Sequence, residues 1–177
     1  LLHLVEVRDG WFVVPSGMRY RALQLGGTSS RMTLSVLRRI AALVDAGGVV
    51  VGRRPAESPS LADDPAQFAR LAGRLWRSAP NAAGGRVLDL PPEQAMIALG
   101  ITPDWQALNP DAPPLMVLHR ILPDGDIYFV SSRSPLAARA EIAFRVTGRV
   151  PERWDADSGE VTPLPHRVEG GRTIVPL

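Results

Sequence analysis

Two runs rich in apolar, β-branched and aromatic residues flank the sequence Pro123-Asp124-Gly125-Asp126, within the stretch Leu115–Ser132. Residues of these types favour strands. Pro at the second position of a turn and Gly at the fourth are typical of a type I turn with a bulge. The stretch therefore predicts a β-hairpin. Because helical patterns occur only before it, we expect an α/β half followed by an all-β half.

The pattern before the hairpin predicts a strand–helix–strand unit. Apolar residues keep helical spacing over Leu34–Ala46, Thr33 can cap that helix, and Gly47-Gly48 follows its end. The continuous apolar run Val49–Val51 is typical of a strand buried on both faces of a parallel sheet. Further helices are predicted at Ala66–Arg77 and Glu93–Leu99. The further strands predicted in this half are Val5–Val7, Trp11–Val14, Tyr20–Leu25 and Val87–Leu90.

These elements predict a partial open α/β sheet over residues 1–109. It outwardly resembles the glutamine-amidotransferase-like fold, whose chemistry requires a nucleophilic Cys. The chain contains no Cys, so a site of that kind would be inactive here.

The proline-rich segment Pro103–Pro114 is predicted to be a linker, and closely spaced strand and turn signals follow the hairpin. The predicted strands are Ala140–Val146, Val150–Trp154, Val161–Thr162, His166–Val168 and Arg172–Val175. Short strands without helical patterns are typical of a β-sandwich. We therefore predict two domains, an α/β domain at 1–109 and a β-sandwich-like domain at 110–177.

Composition excludes several classes of function. The 177 residues, 45% hydrophobic and 21% charged, are typical of a globular protein. The absence of Cys excludes disulfides, thiolate catalysis and zinc–sulfur sites. The twenty basic residues are all Arg and are scattered rather than clustered, which argues against a nucleic-acid partner. No apolar run reaches the roughly 18 residues that span a membrane, and no signal peptide is visible.

The two ends of the chain have the character of interior segments. The sequence starts with Leu1-Leu2-His3 and stops within the strand-like Thr173–Leu177. We therefore expect both ends to be cut from a larger protein, with self-association through the apolar surface that this exposes.

No motif for a cofactor, a metal or a catalytic nucleophile is complete. Gly26-Gly27-Thr28 lacks the third glycine of a dinucleotide fingerprint, a phosphate-binding loop of the Walker type needs Lys, and no serine lies in G-x-S-x-G. Asp124 and Asp126, like the acidic group at 155–160, lie in Gly-containing segments where Asp is favoured as a turn residue. We therefore assign no catalytic residue, no metal ligand and no cofactor.

The pair His119-Arg120 is the least ordinary polar feature, because it interrupts an apolar strand. Adjacent strand residues point to opposite faces, so one of the two should be buried or at an interface. One interpretation is a buried ion pair between the two halves, and the other is a polar group that faces a substrate. We expect Arg120 to be held by a carboxylate or by carbonyls, and His119 to face outward.

An ordered set of segments resembles the C-terminal part of bacterial α-L-rhamnosidases of glycoside hydrolase family 106. The matching pieces are PSGMRYRAL at 15–23, RMT at 31–33, VVGRRP at 50–55, LHR at 118–120, DIYFVS at 126–131, FRVTG at 144–148 and WDADSGE at 154–160. The chain departs from the family pattern at Ser132 and Ala156.

This resemblance implies a non-catalytic accessory part of a large glycoside hydrolase that acts on rhamnose-containing glycans. It implies that the catalytic carboxylates lie on an upstream barrel domain, the expected partner of this chain, and that the enzyme is secreted or periplasmic. His119 and Arg120 are the predicted carbohydrate-binding residues. The alternative is a stand-alone carbohydrate-binding or structural interaction module.

Overall fold

A computed structural model describes residues 2–26, 30–77, 79–136 and 139–177. The chain divides into two compact units, Leu1–Ile101 and Thr102–Leu177. The described residues form helices together with many short strands in small sheets. The predicted mixed α/β class with a β-rich character is therefore confirmed.

The first unit contains two small sheets of three strands each. A 3₁₀ helix, Leu2–Leu4, precedes them. The antiparallel sheet has the order β1–β2–β3, and the parallel sheet has the order β4–β5–β6. The strands are β1 (Glu6–Arg8), β2 (Trp11–Val13), β3 (Arg19–Tyr20), β4 (Leu23–Gln24), β5 (Val49–Val51) and β6 (Arg86–Leu88).

The run Tyr20–Leu25, predicted as one strand, belongs to two sheets. Strand β3 pairs antiparallel with β2, whereas β4 pairs in parallel with β5. Arg21 and Ala22 lie between them and belong to neither strand. Apolar residues occupy positions 20, 22, 23 and 25, so the alternation shifts by one position between Ala22 and Leu23. The prediction of a single strand overlooked this shift, which lies at the change of partner.

The described residues of this unit also form the α-helices α1 (Leu34–Asp45), α2 (Pro65–Leu75) and α3 (Pro92–Ala98). As predicted, Thr33 caps α1, accepting from the Val36 N–H at 3.5 Å. The core packs α1 and α2 against β5, and its most deeply buried members include Leu37, Ile40, Val50 and Phe68. Within the described ranges, no helix is long and apolar enough to cross a membrane.

Among the described residues of the second unit, all regular secondary structure is β-strand. They are β7 (Trp105–Ala107), β8 (Leu115–Ile121), β9 (Asp126–Ser132), β10 (Glu141–Phe144), β11 (Glu152–Trp154), β12 (Val161–Pro163), β13 (Arg167–Glu169) and β14 (Arg172–Pro176). An antiparallel sheet has the order β13–β14–β10–β7, while β8–β9 and β11–β12 are two-stranded.

The predicted hairpin at 115–132 is confirmed as β8–β9. Seven residue pairs run from Leu115 opposite Ser132 to Ile121 opposite Asp126. The Leu122 N–H donates to the Gly125 carbonyl at 2.7 Å inside the loop.

The predicted linker at 103–114 contains β7, which sequence reasoning missed. Ala107 lies opposite Ile142 of β10, which is fully buried. Only this pairing with a strand some 35 positions later makes so short a segment a strand. Residues 102–109 thus lie in the second compact unit, and the domain ranges 1–109 and 110–177 stay a prediction.

Candidate functional site

The inner face of the β8–β9 hairpin carries the polar cluster of the second unit. His119 lies directly opposite Tyr128, and Asp126 follows one step along the same face of β9. Residues alternate between the faces of a strand. His119 is therefore half-buried on the inner face, whereas Arg120 is exposed on the outer face.

Both ring nitrogens of His119 contact carboxylates. Nδ1 lies 2.5 Å from Oδ2 of Asp104, and Nε2 lies 2.9 Å from Oδ1 of Asp126. The contact with Asp126 has hydrogen-bond geometry, in which the ring N–H donates and the carboxylate oxygen accepts, whereas the contact with Asp104 is an ion-pair distance. The side chains of His119 and Asp126 are each 18% exposed and that of Asp104 is 30% exposed. Partial exclusion of water strengthens these charged contacts.

Two arginines extend the cluster outward. Arg145 Nη2 lies 3.0 Å from Oδ1 of Asp104, and the backbone N–H of Arg145 donates to the Asp104 carbonyl at 2.8 Å. Arg149 Nε lies 3.7 Å from Oδ2 of Asp126, and its Nη1 donates to the carbonyl of Asp124. Each carboxylate therefore lies between the His119 imidazole and an arginine.

Tyr128 provides the apolar support of the cluster. Its ring stacks on His119, with centroids 4.0 Å apart and planes inclined by 10°, and it packs on Phe144 at 4.5 Å. Its buried Oη has no hydrogen-bond partner within the described residues. Burial, with a smaller contribution from the negative charges of Asp104 and Asp126, raises the pKa of Tyr128 to about 12.

The roles expected for His119 and Arg120 are reversed. The expectation that a carboxylate or carbonyl holds Arg120 is wrong, because this side chain is exposed and forms no ion pair with any described residue. His119 does not face outward either. The cause is register, since the inner face of the hairpin carries His119 with Asp126 and Tyr128.

Of the carboxylates predicted to be turn residues, one has that role and another does not. Asp155 does so, because its Oδ1 accepts from the backbone N–H groups of Asp157 at 3.1 Å and Ser158 at 2.9 Å. These hydrogen bonds lower its pKa. Asp126 instead belongs to β9 and binds His119.

Sequence reasoning could have found one of the two His119 partners. Once the hairpin loop is placed at 122–125, alternation puts His119 and Asp126 on one face within reach of each other. Asp104 had no such signal, because it reaches His119 from the segment before β7, which pairs with β10 rather than with the hairpin.

The polar groups of this cluster make their contacts with one another. The imidazole occupies the space between the two carboxylates, and arginines cover their remaining oxygens. No group of three or more His, Asp or Glu side chains in the described part of the chain is arranged to hold a metal ion. The arrangement suits a charged crosslink between β8, β9 and the segment before β7.

The chain is similar to known glycosidases in its family match, in its sequence and in its structure. Residues 1–168 match the family model of glycoside hydrolase family 106, described as alpha-L-rhamnosidase. A "Putative beta-glucuronidase" of Formosa agariphila is 28% identical over 158 residues, which are 88% of this chain and 13% of that protein. The solved structure of a rhamnosidase from Novosphingobium sp. PP1Y superposes with a TM-score of 0.82 at 36% identity, covering 99% of this chain and 17% of that one.

Proposed function

Because this chain belongs to glycoside hydrolase family 106, the α-L-rhamnosidase family, we propose that it is a non-catalytic accessory part of an α-L-rhamnosidase-like enzyme acting on rhamnose-containing glycans. The chain spans 17% of the rhamnosidase whose structure it resembles and 13% of the curated relative. In this proposal the catalytic carboxylates lie on an upstream barrel domain.

The observation that carries the non-catalytic role is the position of His119 between Asp104 and Asp126. Glycoside hydrolases place a sugar between two carboxyl groups roughly 5 to 10 Å apart, one of them free to donate a proton. In this cluster the space between the carboxylates is filled by the imidazole. Their other oxygens lie 3.0 and 3.7 Å from arginine nitrogens, so neither carboxylate is placed to meet the glycosidic oxygen of a sugar, as a general acid has to be.

His119 and Arg120, the predicted carbohydrate-binding residues, have different roles in this proposal. His119 uses both ring nitrogens inside the protein, so its role is to keep the hairpin in place. Arg120 is exposed on the opposite face. Its guanidinium retains the donors that can bind a sugar hydroxyl or the remainder of the enzyme.

We also propose two details of the predicted fold. They are an amidotransferase-like arrangement for the α/β half and a β-sandwich for the strands of the second unit. The parallel order β4–β5–β6 supports the first, and the antiparallel sheet with its two hairpins supports the second.

A hydrolysis assay tests the proposed role. The protein is incubated with an aryl α-L-rhamnoside, with the Novosphingobium rhamnosidase as a positive control. We expect no turnover by this chain, because neither carboxylate of the cluster faces an open site. Turnover that is lost in the Asp104→Asn or Asp126→Asn variant would show that the cluster is catalytic and would refute the accessory role.

A further inference from the structure

The first unit contains a cleft that none of the predicted sites covers. It has a volume of about 320 Å³ and lies at the amino ends of β5 and β6, where Val49 and Arg86 line it. Open parallel sheets usually bind ligands at the opposite, carboxyl edge. The cleft is large enough for one small polar ligand.

Trp11 and Arg21 form one wall of the cleft, and Arg19 stacks on the same tryptophan ring. Phe12 is buried in the core, so the alternation of β2 turns Trp11 to the other side. The guanidinium carbons of Arg19 and Arg21 lie 5.0 and 4.8 Å from the centroid of the Trp11 ring. Stacking on an aromatic ring restricts a guanidinium without using its N–H donors. Arg21, which lines the cleft, is therefore held in place while none of its N–H donors is used by another described residue.

The charged groups of the cleft lack ion-pair partners among the residues that the structure describes. No described residue forms an ion pair or a side-chain hydrogen bond with Arg21, Arg86 or Asp9. The buried Nε of Arg86 has no acceptor among the described residues either. A desolvated donor without an acceptor is costly, more so when it is charged. Two guanidinium groups and one carboxylate leave the cleft with a single excess positive charge.

The walls of the cleft are fixed before any ligand arrives. The Asn81 side chain donates to the Val44 carbonyl at 2.8 Å and accepts from the N–H groups of Ala83 and Gly85 at 3.0 and 2.8 Å. Asp9 and Gly10 form the turn between β1 and β2 with φ values of 51° and 75°, as the two central residues of a type I′ turn require. A site with fixed walls loses little entropy on binding.

We propose that this cleft binds a sugar that carries one carboxylate group. A carboxylate matches the fork of a guanidinium and neutralises the single excess charge between Arg21 and Arg86. Asp9 accepts hydrogen bonds from sugar hydroxyls, which a bare anion does not offer. The sugar part rests on the proposed action on glycans, whereas the anionic part rests on the cleft alone.

Titration followed by amide NMR tests the proposal. Sodium glucuronate is the probe. Glucose is the control ligand that lacks the carboxylate, and sodium acetate is the control ligand that lacks the sugar. We expect glucuronate to shift the Trp11 indole N–H and the amides of Gly10 and Gly84, with glucose and acetate binding at least tenfold more weakly. Absent shifts at these groups, or equal binding of either control ligand, would overturn the proposal.

Two variants with the same change in charge separate the cleft from general electrostatics. Arg21→Gln removes an exposed lining residue and should weaken glucuronate binding at least tenfold. Arg53→Gln removes an exposed arginine outside the cleft lining and should leave the affinity unchanged. Equal effects of the two variants would overturn the proposal. The rhamnoside hydrolysis assay tests the accessory role, whereas the titration tests uronate binding. Failure of either proposal can therefore be distinguished from failure of the other.

Discussion

His119 and Tyr128 face each other across the β8–β9 hairpin with their rings nearly parallel, 4.0 Å apart. The stack covers one face of an imidazole whose two nitrogens contact Asp104 and Asp126. A single cross-strand pair thus connects the apolar packing of the second unit to its charged cluster. Arg120, the next residue along β8, takes no part in it.

Replacing His119 should destabilise the protein far more than replacing Arg120. His119→Ala leaves two half-buried carboxylates facing each other and removes the stack, which we expect to cost about 2 to 3 kcal/mol. Arg120→Ala, on the exposed face, should change the free energy of unfolding by less than about 0.5 kcal/mol. Urea unfolding of both variants at pH 7 gives the comparison. Equal losses of stability would contradict the role assigned to His119.

Tyr128 should make stability fall at alkaline pH. Its pKa is raised to about 12 in the folded protein, above the value of about 10 in an unfolded chain. The stabilisation is complete below pH 10 and is lost as the pH rises toward 12, because the unfolded state releases the proton first. The free energy of unfolding, measured with denaturant between pH 9 and 11.5, should therefore decrease as the pH rises.

The matched variant for this measurement is Tyr128→Phe, which cannot titrate. It should be nearly neutral at pH 7, since the buried Oη has no partner among the described residues. Its stability should fall less steeply above pH 10. An identical pH profile for wild type and variant would show that Tyr128 does not cause the decrease.

Gly85 should not tolerate a side chain. A Cβ at this position would lie 1.8 Å from the Val44 carbonyl oxygen, so the backbone of α1 or of the segment 81–85 would have to move. We expect Gly85→Ala to cost about 3 kcal/mol or more. Gly26→Ala, where a Cβ meets no atom of the described residues within 4 Å, is the control and should be close to neutral. Similar melting temperatures for the two variants would rule out this close approach.

The outer face of β8–β9 should promote self-association. Leu118 and Phe129 form a cross-strand pair and are 66% and 58% exposed, with Met116 and Ile127 beside them. Contiguous exposed apolar side chains favour association. We expect sedimentation velocity to show concentration-dependent oligomers that Leu118→Asp reduces. Leu61→Asp, at an isolated exposed leucine of the first unit, should leave them unchanged, and a monomer at all concentrations would refute the prediction.

Local patterns determined most elements of this protein. The helical spacing over 34–46 with its Thr33 cap, the apolar run Val49–Val51 and the turn residues at 122–125 each contain their own signal. Such signals act between residues that are neighbours along the chain, so a sequence read by itself is enough to place them. The ordered motifs at 118–120, 126–131 and 154–160 likewise pointed to the rhamnosidase family that the comparison confirms.

Tertiary structure decided which partners these elements meet. Strand β7 exists only through its pairing with β10, and the run at 20–25 divides between two sheets because β2 and β5 each pair with one part of it. Contacts between segments far apart in the chain leave no local pattern.

The same reason explains the two sites. Asp104 reaches His119 from outside the hairpin, and the cleft gathers Asp9, Arg21 and Arg86 from separate segments. Alternation along β8 showed from sequence that His119 and Arg120 face opposite ways. Which of them is inside depended on the side chains that the fold brought to each face, because a half-buried charge is stable only where partners of opposite charge are already held.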